Sequence, residues 1–306
     1  MDRRTLHLDF ADFWPNFDKT DNWLWHVLSQ RFDVVIDTDA QLLVYSCYGD
    51  QHLAHRGVRL FVSHENKGWG FSRCDWAITS DYVRSPRHLR VPLWATMVPS
   101  DGWRGGPVDP RAAHRGFAAT VVSSGSARTR EHIHDILNLY RTVASGGRHR
   151  NNVGGPAADK LEFISGYKFT LAFENSTYPG YTTEKLLHAL QANTVPIYWG
   201  DPHVGRDFNT KRFVNYHDFA DEAALLQRII ELDEDDDQYL AMLAEPWFNG
   251  RVLPECTDPE RILDFFERAA NDTKTPVAQR RWRPDTLLHS ARDRWTTRQR
   301  FVHKVY

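Results

Sequence analysis

Short apolar runs bounded by polar, Gly or Pro clusters recur along the chain, and between them lie stretches with helical spacing. RFDVVIDTD, centred on Val34, Val35 and Ile36, predicts a short buried strand; QLLVYSCYG and RLFVSHEN predict two more, and DWAIT and LRVPLW add further candidates. Residues 99–110, PSDGWRGGPVDP, are dense in Pro, Gly and Asp and mark a domain boundary. Past it, RGFAATVVSSGS predicts a strand, and ARTREHIHDILNLYRTVA carries Ile133, Ile136, Leu137 and Tyr140 at helical spacing. A flexible polar loop, SGGRHRNNVGGPAADK over 145–160, leads to YKFTLAFEN as a strand, TTEKLLHALQAN as a helix and TVPIYWG as a strand. AALLQRIIEL (223–232) and ERILDFFERAA predict helices, with the acidic DEDDD between them as a solvated loop or helix end. Strands alternating with helices imply right-handed crossovers and parallel sheets.

The length of 306 residues favours two domains, and the formal net charge of −2, with both signs interspersed, gives no global field for a nucleic acid. Any polyanion site must be local. Cys47, Cys74 and Cys256 are odd in number and widely spaced, without zinc or dithiol spacing, which fits a reducing compartment. The N-terminal stretch lacks the apolar core of a signal peptide, and no stretch approaches the ~20 apolar residues of a membrane span. A cytoplasmic protein, soluble or at most peripheral, is the expectation. The last segment, QRRWRPDTLLHSARDRWTTRQRFVHKVY, is basic with interleaved aromatics. It reads either as a surface helix covering apolar area with arginine stems or as a peripheral contact with an anionic membrane.

Two loops carry the candidate chemistry, because ligands of open parallel sheets collect at the carboxyl ends of strands beside helix N-termini. SSGSARTR places Ser123, Ser124 and Ser126 ahead of a helix, with Arg130 in its opening turn; ENSTYPGYTTEK places Asn175, Tyr181 and Lys185 comparably. Backbone amides, hydroxyls and one cation per loop suit a diphosphate. Lys185 stands where the positive end of the helix dipole repels it, so it is either a phosphate ligand or an ordinary exposed cation beside Glu184, as Arg130 is beside Glu131. No G-x-x-x-x-G-K-[ST] or G-x-G-x-x-G loop occurs, which argues against a P-loop NTPase or a standard dinucleotide oxidoreductase. The DTD at Asp37–Asp39 imitates a metal-holding pair without a helper histidine. His132 and His134, two apart on a helix, project about 200° from one another and cannot chelate one ion.

The run YKFTLAFENSTYPGYTTEKLLHALQANTVPIYWGDP closely resembles the signature of the α-1,3/4-fucosyltransferases, the inverting GDP-fucose enzymes of glycosyltransferase family 10, of bacterial type. HENKGWGFSRCDWAITSDYVRSPRHLRVPLW is similar to the family's N-terminal cluster, and the likeness spans roughly residues 60 to 220. It implies an α/β GT-B fold, two Rossmann-like domains facing across a cleft. The expected boundaries are an acceptor-binding domain over 1–105, a GDP-fucose-binding domain over 106–275 and a basic helical tail over 276–306. The resemblance further implies that Arg130 and Lys185 neutralise the diphosphate, that Asn175 and Tyr181 bind at or beside it, and that Glu184 bonds the ribose hydroxyls. Glu65 matches the proposed general base; on spacing alone it is a loop glutamate beside Lys67. The implied partners are GDP-fucose and an N-acetylglucosamine-containing glycan, with no metal or other cofactor. A different GDP-sugar, or a nucleotide- or glycan-binding protein without catalysis, are the alternatives. Trp69, Trp76, Trp94 and Trp103 are candidates for the acceptor cleft or for core packing.

Overall fold

The computed structural model describes residues 3–123, 125 and 127–279. Two compact units divide the chain: Met1–Thr96 with Glu255–Tyr306, and Met97–Pro254.

The first unit is built on six parallel strands in the order β2-β1-β3-β4-β5-β6. They are β1 (Arg4–Ala11), β2 (Phe32–Ile36), β3 (Leu42–Tyr45), β4 (Val58–Ser63), β5 (Trp76–Thr79) and β6 (His88–Arg90). β3, β4 and β5 are buried along their whole length, as strands covered on both faces must be. Because β2 lies on one side of β1 and β3 on the other, the chain reverses direction between β1 and β3. Helix α1 (Trp23–Leu28), capped by the Asn22 side chain, links β1 to β2.

Helix α7 (Pro259–Ala270) also belongs to this unit, so the domain expected over 106–275 ends earlier, at Pro254. The helical periodicity of ERILDFFERAA identifies an apolar face but not the sheet it covers. Ile262, Leu263, Phe265, Phe266 and Ala269 are buried. The Phe265 ring meets Trp76 edge-on at 5.2 Å, and Arg31 pairs with Glu260 at 2.5 Å and Asp264 at 2.7 Å.

The second unit holds five parallel strands in the order β11-β10-β9-β7-β8: β7 (Gly116–Thr120), β8 (Val143–Ser145), β9 (Tyr167–Phe173), β10 (Val195–Trp199) and β11 (Val214–Asn215). Its helices are α2 (Arg128–Tyr140), α3 (Lys160–Ser165), α4 (Glu184–Gln191), α5 (Glu222–Glu234) and α6 (Asp236–Ala244). The core joins Phe117, Phe169, Leu171, Phe173, Val195 and Ile197 from the strands to Ile133 and Leu137 of α2 and Leu225, Ile229 and Leu232 of α5. The acidic run does end a helix, yet Asp233 is buried there, bonded by Tyr140 (3.1 Å) and Arg141 (2.6 Å). Of the expected tail, residues 280–306 lie outside the described residues, as do the candidate hydroxyls of Ser124 and Ser126.

Candidate functional site

In the second unit β7 is followed through α2 by β8 on one side and through α3 by β9 on the other. The carboxyl ends of β7 and β9 therefore diverge, leaving the crevice where open α/β sheets bind ligands. The two loops singled out in the sequence leave these two strand ends and lead into α2 and α4. Among the described residues, five of the seven α-helices, α1, α3, α5, α6 and α7, are capped by an Asn or Asp side chain. The remaining two, α2 starting after Ala127 and α4 after Thr183, have no side-chain cap hydrogen bond. Both helices that border the crevice thus begin without the capping acceptor that each of the others has.

The loop after β9 is shaped by its own sequence. Tyr181 N–H donates to the Tyr178 carbonyl at 3.0 Å, closing a turn around Pro179 and Gly180, whose φ of 90° is the left-handed value that favours glycine. At the loop's start Glu174, fully buried, accepts from Thr183 N–H (2.7 Å), Thr183 Oγ1 (2.6 Å) and Lys185 Nζ (3.1 Å). Gly200 makes room for it, since a Cβ there would sit 2.5 Å from the Glu174 Cγ. Lys185 Nζ also donates to Thr183 Oγ1 at 2.8 Å and pairs with Glu184 at 3.3 Å. Its place in the first turn is thus balanced within the protein, by a carboxylate that the sequence reading did not single out. Glu174 was legible only as a glutamate directly after a strand and ahead of T-T-E-K.

Burial raises the Glu174 carboxyl above its usual range, against Lys185 and the Thr183 donors, which favour the anion. Desolvation opposes the Lys185 charge, but Glu174 and Glu184 outweigh it and the ammonium is held above its usual value. Glu184 is desolvated as well, yet Lys185 and Lys160 hold it below the ordinary glutamate range. Lys160 reaches His188 Nδ1 at 3.0 Å, and desolvation, with Lys160 beside it, lowers His188 to about 4.

Arg130 is no exposed cation: it is buried, its Nη1 lies 3.5 Å from Asn175 Oδ1, and its Nε is 3.7 Å from Glu131. It ties the β7 loop to the β9 loop across the crevice. Asn175 is exposed, Tyr181 is buried, and Glu184 and Lys185 are half-buried. Five of the six predicted site residues thus share one edge of this sheet. The same edge carries the loop after β8, where Glu131 binds His149 (2.8 Å) and Arg150 (3.0 Å). Among the described residues no group of three His, Cys, Asp or Glu is placed to hold a metal ion.

Glu65 is in the first unit, exposed in the loop after β4. Its backbone N–H donates to Ser63 Oγ at 3.1 Å, and the Tyr48 hydroxyl donates to its Oε1 at 3.2 Å. Both lie at the carboxyl edge of the six-stranded sheet. Trp94, Trp103 and Trp76 are core residues, and the half-buried Trp69 donates to Asp81 at 2.5 Å and stacks on His88.

Residues 8–97 match the profile of the alpha-(1,3)-fucosyltransferase FucT N-terminal domain, and residues 112–247 that of the glycosyltransferase family 10 (fucosyltransferase) C-terminal domain. The chain belongs to this fucosyltransferase family. Alpha-(1,3)-fucosyltransferase FucT of Helicobacter pylori is 32% identical over 299 residues, 82% of this chain and 62% of that protein. The 4-galactosyl-N-acetylglucosaminide 3-alpha-L-fucosyltransferase FUT6 of Pongo pygmaeus is 35% identical over 172 residues, 53% of this chain and 45% of that one. The chain therefore spans less than two thirds of either relative. A crystal structure of an alpha1,3-fucosyltransferase with GDP-fucose superposes with a TM-score of 0.76 at 28% identity, covering 90% of this chain and 93% of the other. The two parallel sheets with their helices are the α/β architecture of the GT-B fucosyltransferases. In this fucosyltransferase-family chain the first matched region contains Glu65, and the second contains Arg130, Asn175, Tyr181, Glu184 and Lys185.

Proposed function

We propose that the protein is an inverting α-1,3-fucosyltransferase that moves L-fucose from GDP-fucose to a hydroxyl of an N-acetylglucosamine-containing glycan. The observation that carries the donor half is the meeting of Arg130, Asn175 and Lys185 at the crevice between β7 and β9, beside two helix starts without side-chain caps. The relatives' names support fucose as the sugar, and that of the FUT6 relative supports the acceptor class.

In this reading the diphosphate takes the place of the missing capping groups. Lys185 has three N–H donors; two go to Glu174 and Thr183, and Glu184 pairs with the ammonium at 3.3 Å. Glu184 is the exchangeable partner: released to the ribose hydroxyls, it frees one ammonium donor for a phosphate oxygen, while Glu174 and Thr183 keep the side chain aimed. Arg130 supplies the second cation, and Asn175 and Tyr181 line the phosphate. The acceptor oxygen attacks the anomeric carbon of fucose as the bond to the GDP oxygen breaks, and the acceptor proton passes to the Glu65 carboxylate. Developing charge on GDP is met by Arg130 and Lys185, so the chemistry calls for no metal. A cytoplasmic setting, with the basic tail against a membrane, belongs to the same proposal.

Incubation with GDP-fucose and N-acetyllactosamine, with product linkage and anomeric configuration read by NMR, tests the reading. The expected product is α-1,3-linked and forms equally in EDTA. Glu65→Gln is expected to abolish transfer while GDP affinity stays within twofold; transfer near the wild-type rate would remove Glu65 as the base.

A further inference from the structure

Like the second sheet, the first has a point of reversal, between β1 and β3, and the two loops that leave it carry an aromatic cluster at the carboxyl edge. Trp14 is 47% exposed and Tyr48 is 49% exposed, an unusual state for two large rings side by side. Their centroids are 6.4 Å apart at 85°, so a flat indole face and a phenol edge form a corner. The Tyr48 hydroxyl at that corner donates to Glu65 at 3.2 Å.

The corner is held in place. Phe17 N–H donates to the Trp14 carbonyl at 3.2 Å across Pro15 and Asn16, and Asn16 takes the left-handed φ of 66°. Phe13 and Phe17 stack at 4.1 Å, and Trp14 meets their edges at 5.7 and 5.0 Å. Buried Asp12 joins the two loops: its carboxylate accepts from Gln51 N–H (2.9 Å), His52 N–H (2.9 Å) and His52 Nδ1 (2.6 Å), and its carbonyl accepts from Tyr48 N–H at 2.9 Å. Gly49 permits this approach, since a Cβ there would lie 2.5 Å from Asp12 Oδ1. Among the described residues nothing bonds the Trp14 indole N–H, which leaves a donor on the exposed ring.

We infer that Trp14 and Tyr48 form the acceptor-sugar platform: the C–H face of a pyranose packs on the Trp14 indole, and Tyr48 aligns both the ring and the Glu65 carboxylate at the reacting hydroxyl. A rigid apolar surface beside one carboxylate and one hydroxyl matches a sugar, which is apolar on its faces and polar at its rim. The acceptor class rests on the proposed transferase reading; the platform itself is a binding site and is testable without turnover.

N-acetyllactosamine is the probe, with saturation-transfer NMR for binding and initial rates for transfer, on wild type, Trp14→Ala, Trp14→Phe and Glu65→Gln. Trp14→Ala is expected to weaken glycan binding and raise the acceptor KM about tenfold, with KM for GDP-fucose and the melting temperature unchanged. Trp14→Phe keeps most of the binding, and Glu65→Gln keeps it while losing transfer. Retained transfer in Glu65→Gln together with weakened binding in Trp14→Ala would overturn the base and leave the platform. Acceptor binding unchanged in Trp14→Ala, or a melting temperature that falls in parallel with binding in both Trp14 variants, overturns the platform.

Discussion

Lys185 shows how a residue that opposes its local electrostatics is stabilised by tertiary structure. A cation in the first turn is disfavoured by the helix dipole by a few tenths to about 1 kcal/mol. A fully buried glutamate 3.1 Å away outweighs that amount. The lysine is thus aimed before any ligand arrives, and little ordering remains to be done on binding. Lys185→Ala is expected to weaken GDP-fucose binding roughly 10- to 100-fold, the loss of one charge-assisted hydrogen bond, as measured by calorimetric titration. Affinity within twofold of wild type would exclude Lys185 from the phosphate site. The position of Lys185 was legible in T-T-E-K, but Glu174 was not, because its role depends on complete burial, which a one-dimensional pattern does not encode. Trp14 was missed for the opposite reason. An aromatic residue in a loop reads as core, and only the fold shows that its ring is left outside.

At the scale of elements, Glu174 braces the residue before α4 from outside the helix, holding both the amide and the hydroxyl of Thr183 and leaving the first-turn amides of α4 without a side-chain cap. Glu174→Gln keeps one acceptor but leaves the ammonium of Lys185 short of a buried counter-charge, so the domain is expected to lose about 3 kcal/mol in urea unfolding. A loss under 0.5 kcal/mol would show that Glu184 alone balances the lysine. The helices with strong apolar spacing, α2, α4, α5 and α7, were legible, and so were strands whose apolar runs end in polar loops. β1 was missed although its buried Leu6, Leu8 and Phe10 alternate with polar neighbours at the period of a strand, because strands were sought as continuous apolar runs and this opening stretch has none. β8, three residues long, was not legible, since it continues the preceding helical pattern without a break.

For the whole molecule, four histidines among the described residues couple stability to pH, His134 among them, lowered by desolvation and by Arg150 beside it. Desolvation lowers His64 and His88 in the first unit, and His188 in the second, each from 6.5 to about 4. Below pH 6.5 the unfolded chain takes up protons that these folded histidines refuse, so their contribution to stability falls as pH drops from 6.5 to about 4 and levels off below, where carboxylates such as Glu184 take over the loss. His64, His88 and His188 each contribute on the order of 1–3 kcal/mol across that window. Urea midpoints at pH 7, 5.5 and 4.5 measure the slope, and His88→Gln is expected to flatten it; a slope unaltered by that change would mean that His88 is protonated in the fold.

Helix α7 gives the molecule a history as well as a shape. Its four large apolar side chains, each stabilising by about 1.5–3 kcal/mol when buried, reach the first sheet only after the whole of the second unit has been made. On a ribosome, where chains emerge from the N-terminus, the continuous unit ending at Pro254 is complete while the six-stranded sheet still waits for its covering helix. The second unit in the sequence is therefore positioned to finish folding first. A nascent chain halted near residue 254 would display the apolar surface that Phe265 and Phe266 later close.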